Sequence, residues 1–229
     1  MRCASTPTSS EQGGALLLPI YLVCDLSSSM SGAQAAALAD AIRELRDAVW
    51  ANPVVSDCAR VGVIGFATSA WTIIPLCDLG ELEELPALAP HGLTSYAAAF
   101  ALLKATIDHD AAQLRADGFR LWRPLVFFIS DGEPTDPVTD WLAEHARLVD
   151  RRQAWRPDVV AFAVGTATAT TLARVATARC FAAERGHTVS SAIAEIADVV
   201  LRSVVASGAT GAPVAPPSPP AGFEEVDLV

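Results

Sequence analysis

Basic charge is scarce in this chain. Sixteen Lys and Arg residues stand against 26 Asp and Glu, the net charge is -10, and Lys104 is the only lysine. A nucleic-acid backbone needs a basic stripe to neutralise it. The densest basic cluster, Arg151, Arg152 and Arg156, reads as the solvated flank of a helix, so nucleic acid is excluded as a partner. Long uninterrupted apolar runs are missing too, and the first residues (MRCASTPTSSEQGG) lack a basic start followed by an apolar core. Neither membrane insertion nor a secretory leader is expected, and the reading is a cytoplasmic protein. The five cysteines form no CxxC pair, and Cys24 sits inside an apolar run, so they read as reduced and structural. His91, His109, His145 and His187 are scattered, which suits solvated or capping roles better than a zinc site. HExxH, Walker and GxSxG signatures are absent.

What is present is a large apolar complement, 52% of 229 residues, enough for a sizeable core in one domain. Strand and helix patterns alternate along it, which predicts an α/β fold with a central, mostly parallel sheet and helices on both faces. Residues 19–24 (PIYLVC) read as a short buried strand. A helix follows over 34–50, with Leu38, Ile42, Leu45 and Val49 as its packed stripe. Strands at 60–67 and 70–77 are separated only by Thr68 and Ser69, so they should pair as an antiparallel hairpin at one sheet edge. After a Pro-containing loop, a helix is expected over 95–116 with Thr94 as its N-cap. Residues 125–130 (LVFFIS) form an unbroken apolar run, as a central parallel strand requires. Further helices are expected at 140–153, 168–177 and 191–205, with strands at 159–164 and, at an edge, 180–182.

Hard oxygen ligands gather where these elements meet. Asp25, Ser27 and Ser29 leave the first strand, Asp131 leaves the 125–130 strand by the same edge, and Thr94 precedes a helix on that edge. The carboxyl ends of strands in an open α/β sheet border a common crevice, where ligands bind. Hydroxyls and two carboxylates, with no soft ligand, suit Mg²⁺, with Mn²⁺ or Ca²⁺ as the other candidates. A divalent ion would also relieve the repulsion between Asp25 and Asp131.

The pattern Asp25-x-Ser27-x-Ser29, with distant Thr94 and strand-terminal Asp131, resembles the metal-ion-dependent adhesion site of the von Willebrand factor type A domain over roughly residues 17–206. Within that superfamily, LPIYLVCDLSSSM and WRPLVFFISDGEPTD are similar to the bacterial tellurium-resistance TerY-like group. The resemblance implies a three-layer, Rossmann-like fold with one antiparallel edge strand, and a binding module rather than an enzyme. Ser27, Ser29 and Thr94 would touch the metal, and Asp25 and Asp131 would act largely through water. An Asp or Glu of a protein partner would complete the shell, and the implied setting is a bacterial stress-response or signalling complex in the company of a kinase or phosphatase. The 191–205 helix would be a shift element coupled to the metal. One position departs from the motif: Ser28 stands where glycine is usual, which is expected to weaken the metal site.

A haloacid-dehalogenase-like, Mg²⁺-dependent phosphohydrolase with Asp25 as nucleophile is the enzymatic alternative, and a metal-free scaffold the third. The first needs a second Asp where Ser27 stands and a placed lysine. Glu133 and Asp136, in the turn after Asp131, read equally as partner-facing or as turn residues, and Trp71, Trp122, Trp141 and Trp155 as packing or rim residues. Flanking the 17–206 domain, residues 1–16 are expected to be flexible. Residues 207–229 are expected to be a disordered Pro-rich tail whose acidic and apolar end (FEEVDLV) is a solubilising terminus, with ligation of a neighbouring molecule's metal by Glu224, Glu225 or Asp227 as the sharper reading.

Overall fold

The computed structural model describes residues 14–165, 167–184 and 219–228, together with positions 188, 190, 193, 195, 196, 198, 199 and 202. Its strands are β1 (Leu16–Asp25), β2 (Ala59–Phe66), β3 (Ala70–Cys77), β4 (Arg120–Leu121), β5 (Leu125–Ser130), β6 (Asp158–Ala163), β7 (Arg179–Ala183) and β8 (Phe223–Val226). The helices are α1 (Ala33–Trp50), α2 (Pro53–Cys58), α3 (Tyr96–Ala116), α4 (Val138–Leu148) and α5 (Ala169–Val175). The sheet runs β3-β2-β1-β5-β6-β7-β8, with β4 added to the start of β1. Strands β2, β1, β5, β6 and β7 are parallel, and β3 and β8 close the two edges in the antiparallel sense.

Alternation along the central strands divides the core in two. Leu18, Ile20, Leu22 and Cys24 of β1 join Leu38, Ile42, Leu45 and Val49 of α1 on one face. Tyr21 and Val23 join Phe100, Leu103 and Ile107 of α3 and Trp141 of α4 on the other. Such a sheet is buried on both faces, which is why β1 and β5 read as continuous apolar runs. Pro19, which has no N–H to give a ladder, falls where β1 has β2 beside it but β5 does not yet begin pairing, since that ladder starts at Ile20.

Several boundaries differ from expectation for local reasons. Ser95, not Thr94, caps α3, its hydroxyl accepting the Ala98 N–H at 3.1 Å. Helix α4 stops at Leu148 because Asp150 organises a turn, accepting the Arg152 N–H on its side chain and the Gln153 N–H on its carbonyl. Strand β7 is not an edge strand. Phe223–Val226, expected within the disordered tail, pairs with it over Cys180↔Val226 to Ala183↔Phe223, so the sheet has two antiparallel edges rather than one. Phe223 is buried against Phe162, and Glu225 pairs with Arg179 at 3.0 Å. Of the expected closing helix at 191–205, Ile193, Ile196 and Val199 are buried in the α1-side core. Most of that helix, residues 1–13 and residues 207–218 lie outside the described residues.

Candidate metal centre

Asp25 is the last residue of β1 and is fully buried. The chain turns immediately after it: Ser28–Met30 is a single 3-10 turn preceded by Ser27 in extended backbone. This brings the Ser27 and Ser29 hydroxyls within 3.0 Å of each other. The Asp25 carboxylate is held from two sides, accepting the Ser27 N–H on Oδ1 at 2.9 Å and the Ser130 hydroxyl on Oδ2 at 2.7 Å. From the end of β5, Asp131 reaches the same place and accepts the Ser29 hydroxyl at 2.9 Å. Asp25, Ser27, Ser29 and Asp131 are thus one hydrogen-bonded set.

Thr94 enters from a separate loop. It is nearly buried, and its Oγ1 lies 3.8 Å from where a Cβ on Gly132 would stand, beside the residue that follows Asp131. Its carbonyl accepts both the N–H and the hydroxyl of Thr135, at 2.8 and 2.9 Å. Among the described residues its own hydroxyl is bonded to neither carboxylate. Because Ser95 takes the capping role, the Thr94 side chain is not spent on the helix.

Burial dominates the electrostatics. It pushes Asp25 up from 3.8 to about 6; hydrogen bonds from Ser27 and Ser130 pull the other way, and the neighbouring Asp131 charge adds to the rise. Asp131 is also raised by burial, against the Ser29 hydrogen bond. The protein therefore holds two carboxylates whose ionisation is costly, the situation a divalent cation relieves. The donor spacing suits such an ion. Adjacent oxygens of an octahedral Mg²⁺ shell are about 2.9 Å apart for metal–oxygen bonds of about 2.0–2.1 Å. The Ser27–Ser29 and Ser29–Asp131 oxygen pairs stand at 3.0 and 2.9 Å. Among the described residues no group of three or more His, Cys, Asp or Glu could hold a metal. The set at Asp25 has only two such residues and relies on hydroxyls.

Neighbouring residues are structurally committed. Glu133 accepts the Thr168 N–H and the Thr168 and Thr171 hydroxyls at the start of α5, while Asp136 accepts the Ala97 N–H at the start of α3. Lys104 pairs with Asp108 within α3, so the placed lysine of a phosphohydrolase is not supplied. His145 is buried and hydrogen-bonds through Nε2 to the Val175 carbonyl at the end of α5, a capping role. Trp141 is core, and Trp71 stacks on exposed His91. The sequence reading missed Ser130, fully buried and bonded to Asp25. Its one signal was a hydroxyl at the end of an apolar run, directly before Asp131.

Residues 20–133 match the family model of the von Willebrand factor type A domain. No curated protein matches the chain. Among solved structures, proximal thread matrix protein 1 from mussel byssus, with a zinc-occupied MIDAS motif, is 16% identical with a TM-score of 0.58, covering 84% of this chain and 49% of its own. A von Willebrand factor type A protein from Catenulispora acidiphila is 13% identical with a TM-score of 0.57, covering 84% and 43%. The pilus adhesin SpaC from Lactobacillus rhamnosus GG, in an open conformation, is 13% identical with a TM-score of 0.58, covering 85% and 30%. The chain spans less than half the length of each of these proteins. Family match and shared three-layer fold agree: the chain contains a von Willebrand factor type A domain.

Proposed function

We propose that this domain is a metal-ion-dependent protein-interaction module. Ser27, Ser29 and Thr94 hold Mg²⁺, or Mn²⁺ or Ca²⁺ in its place, and Asp25 and Asp131 act on it largely through water. With no carboxylate bound directly, the ion keeps uncompensated charge, and an Asp or Glu of a partner protein completes its shell. The observation that carries this reading is the chain of contacts at the carboxyl edge of the sheet, from the Asp25 carboxylate to the Ser27 N–H at 2.9 Å, between the Ser27 and Ser29 hydroxyls at 3.0 Å, and from the Ser29 hydroxyl to the Asp131 carboxylate at 2.9 Å. The zinc-occupied motif of the mussel protein is consistent with it. The binding role is non-enzymatic, and Lys104 lying in an ion pair on α3 supports that.

In this proposal the module serves in a cytoplasmic bacterial stress-response or signalling complex alongside a kinase or phosphatase, a reading supported by the resemblance of its DLSSSM and ISDGEPTD segments to the TerY-like group. Residues 17–206, joined at the sheet edge by β8 (Phe223–Val226), make up its body. Calorimetric titration of Mg²⁺ into metal-free protein tests the reading. Binding by the wild type that Asp25→Ala and Ser27→Ala lose is the expected result, and it opens a search for partners released by EDTA. Absence of binding by the wild type would overturn it in favour of a metal-free scaffold.

A further inference from the structure

Ser28 is the one position at which this chain departs from the resembled motif, and a departure from glycine there was expected to weaken the metal site. The structure gives it different work. Ser28 lies in the 3-10 turn Ser28–Met30, a right-handed conformation that any residue adopts without strain. Its backbone N–H and its hydroxyl both donate to the carbonyl of Gly92, at 3.1 and 3.0 Å. Gly92 is two residues before Thr94, so this pair of bonds ties the turn that carries Ser27 and Ser29 to the loop that carries Thr94.

The Thr94 loop is held by hydrogen bonds rather than by regular secondary structure. It is not part of a strand or helix, and Gly92 and Leu93 are exposed. Gly92 has φ +72°, which a side chain would strain, and a Cβ there would stand 2.4 Å from Thr68 Oγ1. Thr68 Oγ1 accepts the Leu93 N–H at 3.0 Å from the β2–β3 side, and Thr135 holds the Thr94 carbonyl from the β5–α4 side. Leu26 and Ala67 supply backbone carbonyls to His91 and Ser95 at the loop's two ends. Among the described residues, Ser28 is the one whose side chain holds the loop from the turn bearing the two candidate serine ligands.

We infer that Ser28 is a positioning residue: its hydroxyl fastens the Thr94 loop to the Ser27–Ser29 turn before metal arrives, and so raises metal affinity by removing part of the ordering cost of binding. This inference rests on the metal-binding reading of the site. Glycine at this position would keep the N–H bond, lose the hydroxyl bond and add backbone freedom to the turn.

The test uses the full chain with Ser28→Ala, Ser28→Gly and Ser28→Thr variants, read by two methods. Hydrogen exchange in metal-free protein follows the Ser28 and Leu93 amides, and calorimetry follows Mg²⁺. Loss of one exposed hydrogen bond should accelerate exchange at both amides and weaken Mg²⁺ binding roughly threefold to tenfold in the Ala variant, and at least as much in the Gly variant. The Thr variant, which retains the hydroxyl, should restore both, a rescue that a merely structural effect of the substitution would not produce. Equal or tighter Mg²⁺ binding by Ser28→Ala or Ser28→Gly would overturn the inference while leaving the metal site standing. Failure of the wild type itself to bind Mg²⁺ would remove the metal reading, and the role of Ser28 with it.

Discussion

Protons should compete with the metal, and the site's geometry sets where. Asp25 is fully buried and in the metal-free protein titrates near 6 rather than 3.8. A carboxyl raised in this way favours the folded state while it is protonated. The contribution is complete below pH 3.8, declines as pH rises, and is lost above about pH 6. Its size is about 3 kcal/mol, from about two pKa units at about 1.4 kcal/mol each. Above pH 6 the metal-free protein therefore carries an ionised, buried Asp25 beside Asp131, a burden that a bound cation would relieve. Below pH 6 a cation would first have to displace a proton.

Apparent Mg²⁺ affinity should be nearly flat from pH 8 to 7 and fall about tenfold by pH 5. The fall should be steeper if Asp131, raised in the same direction, takes up a second proton over that range. Calorimetry in two buffers of different ionisation enthalpy counts the protons released directly: close to none at pH 7.5, and approaching one or more at pH 5. Affinity that is unchanged between pH 7 and pH 5, with no proton release, would refute the argument, because it would mean that the metal does not interact with the Asp25 charge.

Two further outcomes follow from residues that the site and the sheet depend on. Gly92→Ala puts a side chain at φ +72° and a Cβ 2.4 Å from Thr68 Oγ1, which should cost about 1–2 kcal/mol in backbone conformation alone and displace Thr94. A lower Tm together with weaker Mg²⁺ binding is expected, and an unchanged affinity would show that the Thr94 loop does not serve the metal. Phe223→Ala empties the one deeply buried position of β8, for which about 3 kcal/mol is a ceiling, since the four-residue strand can detach instead. Hydrogen exchange should show protection lost along the β7–β8 ladder while β5 and β6 keep theirs; concerted loss across all four strands would contradict a separable edge strand.

The fold was legible wherever burial on both faces of the sheet left its mark in composition. The runs that became β1 and β5, the Leu38, Ile42, Leu45 and Val49 stripe of α1, and the hairpin across Thr68 and Ser69 all owe their pattern to one kind of neighbour, apolar core or tight turn. Strand β8 was not legible, because its sequence carries only Phe223 as a buried anchor, and its two glutamates face away from the core on an edge. Alternation with one apolar anchor looks the same in a solvated tail. What distinguishes the two is the vacant edge of β7, which no local pattern reports.

At the site the sequence pattern picked out Asp25, Ser27, Ser29 and Asp131, which the fold links by hydrogen bonds, but not the bonds that support them, and the physical reason is the same for each miss. Thr94 and Ser95 are adjacent hydroxyls before a helix, and either satisfies the local rule for a cap. The choice falls to Ser95 in a loop whose Thr94 carbonyl is engaged by Thr135, forty-one residues away. Glu133 and Asp136 were open between partner contact and turn chemistry. They are taken up instead by the N-terminal ends of α5 and α3, where free backbone N–H groups attract carboxylates. Ser130 was read as the end of a strand, and Ser28 as a defect. Both hydroxyls find acceptors that only the fold brings near, Asp25 at the end of β1 and Gly92 in the Thr94 loop, 105 and 64 residues distant in sequence. Residue type and spacing tell which atoms are suited to a metal. Which of them remain available depends on the hydrogen bonds of the folded loops, and in this domain those bonds occupy Glu133, Asp136 and Ser95 while leaving the Thr94 hydroxyl beside Asp131 uncommitted to either carboxylate.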